Sequence, residues 1–477
     1  MARLRLKADT SALTVLPMLA NESLYVGVDI GKANHIAGFT SNTLLARHGQ
    51  FEGCPSLKFE NSREGFRQLV DRIRAYVPLG QAYVLMEKTG HYHRPLEEYL
   101  LEAGISVYVM HIQRRQEGLL KSDKRDALRL SNHIYGQLEK GVQAPEKTQL
   151  VRRALPPTEA AALLKTLMGH RYELSHESTK RRNQLMAIAD QLFPEVTTVF
   201  KDPNGETALK VRAAFPTAHA VATASLDALC AAKGPYQPSR QKMATLQELA
   251  VQSVGIKDSG RTRSLVFEQA QLIRELQLIR EHMDQIDAET DRIVSTSREG
   301  HILMSLPGIG LVSAASIMAA VGNINNFPSA ASLKAYFGWA PRISQTGISR
   351  NSAVLGRQGE RTMKEVLYMS AVRAAQDSSE FNGIYKRLVA RKCDYDESRG
   401  DYVGKRKVIA RIAGQICRMI YAFLKADADL LANMPFGQEP PEPMLFDPAI
   451  HQAHIAGGYK PMKPDTLSPA IIQLPQR

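Results

Sequence analysis

Cysteine is scarce in this chain of 477 residues: Cys54, Cys230, Cys393 and Cys417 stand far apart, with no Cys-x-x-Cys pair. That spacing indicates neither a disulfide framework nor a zinc knuckle, and it fits a reducing compartment. Long apolar runs are also missing. None approaches the roughly 20 residues of a membrane span, and no basic amphipathic anchor stands out. Residues 1–22 carry basic charge without the apolar core and cleavage site of a signal peptide. A cytoplasmic protein without membrane contact is therefore expected. Acidic residues are in deficit, 48 Asp and Glu against 61 Lys and Arg, for a formal net charge of +13. Such an excess points to an acidic partner, most often nucleic acid. Apolar content of 44% and charged content of 23% are those of a globular protein, and the length calls for two or three domains.

Chemistry concentrates first in Leu24-Tyr25-Val26-Gly27-Val28-Asp29-Ile30-Gly31-Lys32. This is an apolar, β-branched run with one carboxylate, the pattern of a buried strand. A charge in such a strand is costly unless it is paired. Asp29 either ends the strand and caps the next turn or binds a metal together with other carboxylates.

Residues 23–156 alternate short strands and helices, which argues an α/β domain. Strands are expected at Leu24–Ile30, His35–Thr40, Ala82–Met86 and Ile105–Met110, and helices at Ser62–Tyr76, Pro95–Ala103 and Lys121–Leu138. Long helices follow over residues 157–299, with a less regular insertion at 193–259. Within them Leu272, Leu276, Ile279, Met283, Ile286, Thr290 and Ile293 recur at spacings of four and three, an a/d seam. The seam packs either on its own domain or in a coiled coil with another helix or another copy. Residues 300–430 form a compact, mostly helical third region, after an N-terminal extension at 1–22. The proline-rich tail at 431–477 is expected to be disordered or loosely docked.

Three more carboxylates stand on suitable elements. Glu87 ends the strand Ala82–Met86, and Asp123 and Asp126 are spaced i,i+3 at a helix start. An α/β sheet can gather such positions at the carboxyl ends of its strands, and hard oxygen ligands suit Mg²⁺ or Mn²⁺. Taken singly, Asp123 also satisfies the helix dipole, and Asp126 can pair with a neighbouring cation. The order Tyr25-Val26-Gly27-Val28-Asp29-Ile30-Gly31-Lys32, then Glu87-Lys88-Thr89-Gly90, then Asp123-Lys124-Arg125-Asp126-Ala127 resembles the DEDD transposases of bacterial insertion sequences. The resemblance implies a ribonuclease H-like N-terminal domain, similar to that of Holliday-junction resolvases. It also implies that Asp29, Glu87, Asp123 and Asp126 are the family's four acids.

The third region extends the likeness. Leu306-Pro307-Gly308-Ile309-Gly310 before an Ala-rich helix looks like a helix-hairpin-helix element, whose free N–H groups can hold DNA phosphate; its glycines also suit tight packing. The run from Phe327-Pro328 through Leu333–Arg342 to Gln345-Thr346-Gly347, then Gly356–Arg361 and Gly404–Arg411, resembles the C-terminal domain of the same family. The matches span most of residues 24–425 in order. One position departs: where the family's proposed nucleophile is a serine, this chain has Thr346, whose extra methyl restricts χ1. Ser344 and Ser349 are the alternatives, and all three also suit a polar loop. Arg342, Arg350, Lys405, Arg406 and Lys407 are candidate DNA contacts.

The expected function is a bacterial, nucleoid-associated transposase or recombinase that cuts and rejoins DNA for a mobile element, acting as a homodimer or homotetramer. By resemblance, a structured RNA encoded by the element guides it. Two alternatives come from other classes. Val28-Asp29-Ile30-Gly31-Lys32 also looks like the first phosphate loop of actin-like sugar kinases and ATPases. Neither a second Asp-x-Gly loop nor a Gly-Gly adenosine motif occurs at the right spacing, however. The other alternative is a DNA-binding protein with a dead acidic site.

Overall fold

The computed structural model describes residues 19, 21–87, 90–110, 122–140, 152–153, 155–234, 238–257, 259–346, 350–355, 359–377, 379–435 and 437–448. They fall into two compact units, residues 1–157 and 158–477.

The first unit is built on β1 (Leu24–Asp29), whose Leu24, Val26 and Val28 are fully buried. Strands covered on both faces read as continuous apolar runs, which is why this stretch lies at the centre of a sheet. β2 (Asn34–Thr40) pairs with it antiparallel, and α1 (Asn42–His48) and β3 (Ser56–Glu60) follow. α2 (Arg63–Tyr76) starts where the Ser62 hydroxyl accepts from the Gly65 N–H, at 3.2 Å. β4 (Ala82–Glu87), α3 (Arg94–Glu102), β5 (Ser106–Met110), α4 (Asp123–Leu138) and β6 (Arg152–Arg153) complete the unit. The sheet is mixed, in the order β3-β2-β1-β4-β5-β6, with β1, β4 and β5 parallel. Phe66, Leu69, Val70 and Ile73 of α2 pack into the core on one face. α4 covers the other.

The second unit is mostly helical. α5 (Glu159–Leu192), capped by Thr158, pairs with α11 (Ser259–Thr296). Leu185, Ile188 and Leu192 meet Leu272, Ile273 and Leu276, while Leu164 and Met168 join Ile286 and Ile293 in the core of the second unit. Arg171 bonds Asp287 through both carboxylate oxygens, and Arg181 bonds Glu275. The a/d seam is thus covered by a helix of its own chain. Between these helices stand α6 (Val196–Val199), α7 (Glu206–Ala214), α8 (Ala218–Thr223), α9 (Leu226–Ala231) and α10 (Arg240–Val251). Buried Arg212 pins that insertion, donating to Gln269 Oε1 and to the carbonyls of Leu185 and Pro203. Desolvation lowers its pKa to about 10.

Then come α12 (Arg298–Ser305), α13 (Leu311–Val321), α14 (Ala330–Tyr336), β7 (Pro341–Thr346), β8 (Arg350–Leu355), α15 (Arg361–Asp377), α16 (Ser379–Lys392), β9 (Asp394–Asp396), β10 (Asp401–Val403) and α17 (Arg406–Ala432). Part of the tail is docked. The Phe446 N–H donates to Ser305 Oγ at 2.9 Å, and Arg298 bridges buried Asp427 and the Pro441 carbonyl. Among the described residues, no helix is long and apolar enough to cross a membrane.

Candidate active site

Asp29 is the last residue of β1 and Glu87 the last of β4. The parallel register pairs Val28 with Met86, so Asp29 and Glu87 follow side by side at the carboxyl ends of adjacent strands. Alternation places Asp29 on the face that also carries Gly27 and Tyr25. α4 crosses that face closely. A Cβ on Gly27 would lie 2.2 Å from the Ala127 carbonyl oxygen and 2.2 Å from the Ser131 nitrogen. One on Gly38 of β2 would meet Leu128 at 2.8 Å. The two glycines face each other across β1 and β2, and they form the bed on which the helix lies.

The direction of α4 decides where its carboxylates go. Tyr135 packs edge-on against Tyr25, ring centroids 5.4 Å apart, nearer the start of β1 than Gly27 is. The helix therefore runs antiparallel to β1, and its first turn lies toward the end that carries Asp29. Leu128 covers the β2 side, while Leu130 clusters with Leu85 on the β4 side. Asp126 lies on the Leu130 flank and Asp123 one turn earlier. Ser122 caps the helix by accepting from the Arg125 N–H at 3.2 Å, and both aspartates stand in the first turn, where the helix dipole favours negative charge. Asp123 is exposed, and Asp29, Glu87 and Asp126 are half-buried. The strand ends that carry Asp29 and Glu87 and the first turn of α4 thus lie toward one end of one face. Among the described residues, no three of His, Cys, Asp and Glu are gathered into a ready-made metal site. The fit to a divalent ion rests on the chemistry of an all-carboxylate donor set.

The turn after Asp29 is tightly built. A Cβ on Gly31 would come 2.3 Å from the Asn34 carbonyl oxygen, so only glycine fits. The Gly31 N–H donates to Nδ1 of buried His35 at 3.2 Å, and burial lowers the His35 pKa. Arg125 reaches Glu52 at 3.4 Å and ties the start of α4 to the segment after α1. Neither His35 nor Glu52 is visible as a site residue in sequence; their signal is only proximity to the Asp-x-Gly turn after folding.

In the second unit Ser344 and Thr346 lie on β7, a strand of an antiparallel hairpin rather than a loop. The register sets Thr346 opposite Arg350, Ser344 opposite Ser352 and Arg342 opposite Val354. Ser349 lies outside the described residues. Gly308 has φ +76°, and a Cβ there would strike the Ser370 carbonyl oxygen at 2.1 Å, so its place is fixed by packing on α15. Gly310 is the N-cap of α13, without a side-chain cap, and Arg373 Nη1 stands 3.7 Å from where its Cβ would be. Lys405 bonds both oxygens of Asp401 at 2.6 Å, so its charge is engaged within the chain. Arg406 and Lys407 are exposed.

Comparison with known proteins covers both units. Residues 26–194 match the transposase family of the DEDD type found in IS110 elements, and residues 300–386 match the "Transposase IS116/IS110/IS902 family". The chain is 23% identical over 427 residues to an uncharacterized 43.6 kDa protein of insertion element IS110 from Streptomyces coelicolor, covering 87% of this chain and 97% of that protein. A 44.8 kDa protein of insertion element IS116 from Streptomyces clavuligerus is 22% identical over 365 residues, covering 74% and 84% respectively. A pilin gene-inverting protein of Moraxella bovis is 30% identical over 158 residues, or 32% of this chain and 44% of that protein. These matches set aside the sugar-kinase alternative. With an acid-bearing mixed sheet followed by a mostly helical unit, the chain belongs to the IS110/IS116/IS902 family of DEDD insertion-sequence transposases, and it is a DNA transposase or recombinase.

Proposed function

We propose that this transposase cuts and rejoins DNA for its mobile element through an acidic centre made of Asp29, Glu87, Asp123 and Asp126, with Thr346 as the nucleophile. What supports the acidic centre is the placement of its elements: adjacent strand ends bear Asp29 and Glu87, and the first turn of α4 lies toward the same end. These carboxylates would hold Mg²⁺ or Mn²⁺, which neutralises charge on a reacting phosphate. Their own task is to fix the position of one phosphodiester and keep the local charge balanced. The Thr346 hydroxyl then attacks phosphorus. A Thr Oγ1–P bond forms, a sugar oxygen leaves with the electron pair, and the hydroxyl proton is released to a base. Energy of the phosphodiester is conserved in the covalent link, so a second sugar hydroxyl can reverse the step and join a new strand. Arg350, the register partner of Thr346, is suited to charge developing on the phosphate oxygens. Gly310 at the uncapped start of α13, together with Arg342 and Arg406, is suited to non-reacting phosphates.

The same proposal includes guidance by an element-encoded structured RNA and assembly as a homodimer or homotetramer. The net charge of +13 supports a nucleic-acid partner, and the family likeness supports the rest. The experiment is adduct trapping on a nicked DNA substrate, with the modified residue mapped by mass spectrometry. An adduct on Thr346 is expected. An adduct on Ser344 or Ser349 would reassign the nucleophile. Metal-dependent cleavage without any adduct would overturn covalent catalysis, and binding without cleavage would mark a dead acidic site.

A further inference from the structure

α17 has two faces of opposite character. Val408, Ile409, Ile412, Ala413, Ile416 and Ile420 are buried in the core of the second unit. At 100° per residue, Lys407, Arg411, Gly414 and Arg418 fall within one narrow stripe on the opposite side, in which Gly414 is itself buried. Lys407 and Arg411 are exposed. Among the described residues, no carboxylate is bonded to either. The stripe continues to Lys425, but that ammonium is engaged by Asp429 and, at 2.9 Å, by Asn325.

Gly414 sits in the interior of this 27-residue helix, where glycine weakens helical structure relative to alanine. Its missing side chain is used. A Cβ there would lie 3.1 Å from Lys334 Nζ and 3.2 Å from Lys334 Cε. The long side chain of Lys334, from α14, lies across the notch and puts its ammonium into the row. Burial first, and then the charge of Arg418, lower the Lys334 pKa. No carboxylate is bonded to Lys334 among the described residues. Two helices thus combine to seat a half-buried cation beside another cation.

We propose that Lys407, Arg411 and Lys334 form a track on α17 that binds the phosphodiester backbone of duplex DNA. The row from Lys407 to Arg418 spans about 16 Å at the helical rise, and duplex DNA carries one charge per roughly 1.7 Å of axis. The track therefore spans several phosphates. It reads no base sequence and sets orientation alone. It rests on the DNA-transposase reading above and deepens it.

The test measures duplex-DNA affinity of the full chain against salt concentration. Each phosphate contact contributes about 0.9 to the slope of log affinity against log salt. Lys407→Gln, Arg411→Gln and Lys334→Gln are each expected to reduce the slope by about 0.9, and together by about 2.7, equally on unrelated sequences. Lys425→Gln, on the same face but already engaged, is expected to leave it unchanged. Thermal unfolding of each variant verifies the fold. An unchanged slope in the triple variant, an equal loss in Lys425→Gln, or a loss confined to structured RNA would overturn the track. If the triple variant keeps the slope while wild-type protein still recombines DNA, the track fails and the transposase assignment stands. If wild-type protein fails to bind DNA at all, both fail.

Discussion

Gly27→Ala tests the contact that positions α4. The added Cβ would lie 2.2 Å from two backbone atoms of α4 and 2.6 Å from Leu130 Cβ. None of these is the flexible end of a long side chain, so strand and helix must move apart. Overpacking costs about 1–3 kcal/mol in typical cores, and three such contacts place this case at or above about 3 kcal/mol. For a unit of this size, about 3 kcal/mol corresponds to a fall of roughly 6–12 °C in unfolding midpoint. Displacing α4 also carries Asp123 and Asp126 away from Asp29 and Glu87, so recombination should fall more than stability alone predicts. The assay is calorimetry of the full chain, with strand cleavage measured well below the new midpoint. Gly80→Ala is the control: a Cβ there meets nothing within 4 Å, and the change should stay within about 0.5 kcal/mol. A Gly27→Ala protein with the wild-type midpoint and full activity would refute this placement of α4.

Asp29→Asn should abolish strand cleavage while the fold is kept, and it should remove the rise in unfolding temperature that Mg²⁺ or Mn²⁺ produces in the wild type, as read by thermal shift. Leu276→Ala should cost about 2–5 kcal/mol because the side chain is fully buried against α5, whereas exposed Leu278→Ala should cost less than about 0.5 kcal/mol; denaturant titration measures both. The pKa of His35 is lowered from 6.5 by burial, so the folded state binds fewer protons than the unfolded one in that window. Its stabilising contribution is present above pH 6.5 and is lost as pH falls below it toward the folded value. The midpoint of the first unit should therefore drop on mild acidification. The drop should be smaller in His35→Gln but not absent, because burial lowers the His133 pKa as well.

The acid-bearing elements were legible because their local signals agree with their tertiary roles. β1 and β4 are apolar runs ending in a carboxylate, and Ser122 caps the helix that carries Asp123 and Asp126. Their convergence was legible only in outline, since it depends on Gly27 and Gly38 admitting α4 at close range. β3 gave little signal, because only Phe59 in Ser56–Glu60 is buried and the rest of this edge strand is polar or partly exposed. β7 and β8 read as a polar loop because serine, asparagine and glycine hide a ladder made by backbone pairing. The seam on α11 announced that it needed cover, but periodicity carries no information on which helix supplies it. α5 does, within the same chain. The tail reads as disordered or loosely docked, and where it docks was not legible: Phe446 packs against Phe423, a contact between distant residues that composition does not encode.

On the proposed mechanism, four carboxylates from β1, β4 and α4 form one metal centre. The most direct measurement is anomalous X-ray scattering from Mn²⁺ in crystals of the protein bound to DNA. One or two Mn²⁺ peaks coordinated by Asp29, Glu87, Asp123 and Asp126 are predicted, lost in Asp29→Asn crystals. Peaks held by other residues in a complex still able to cut its DNA would rule out this metal centre.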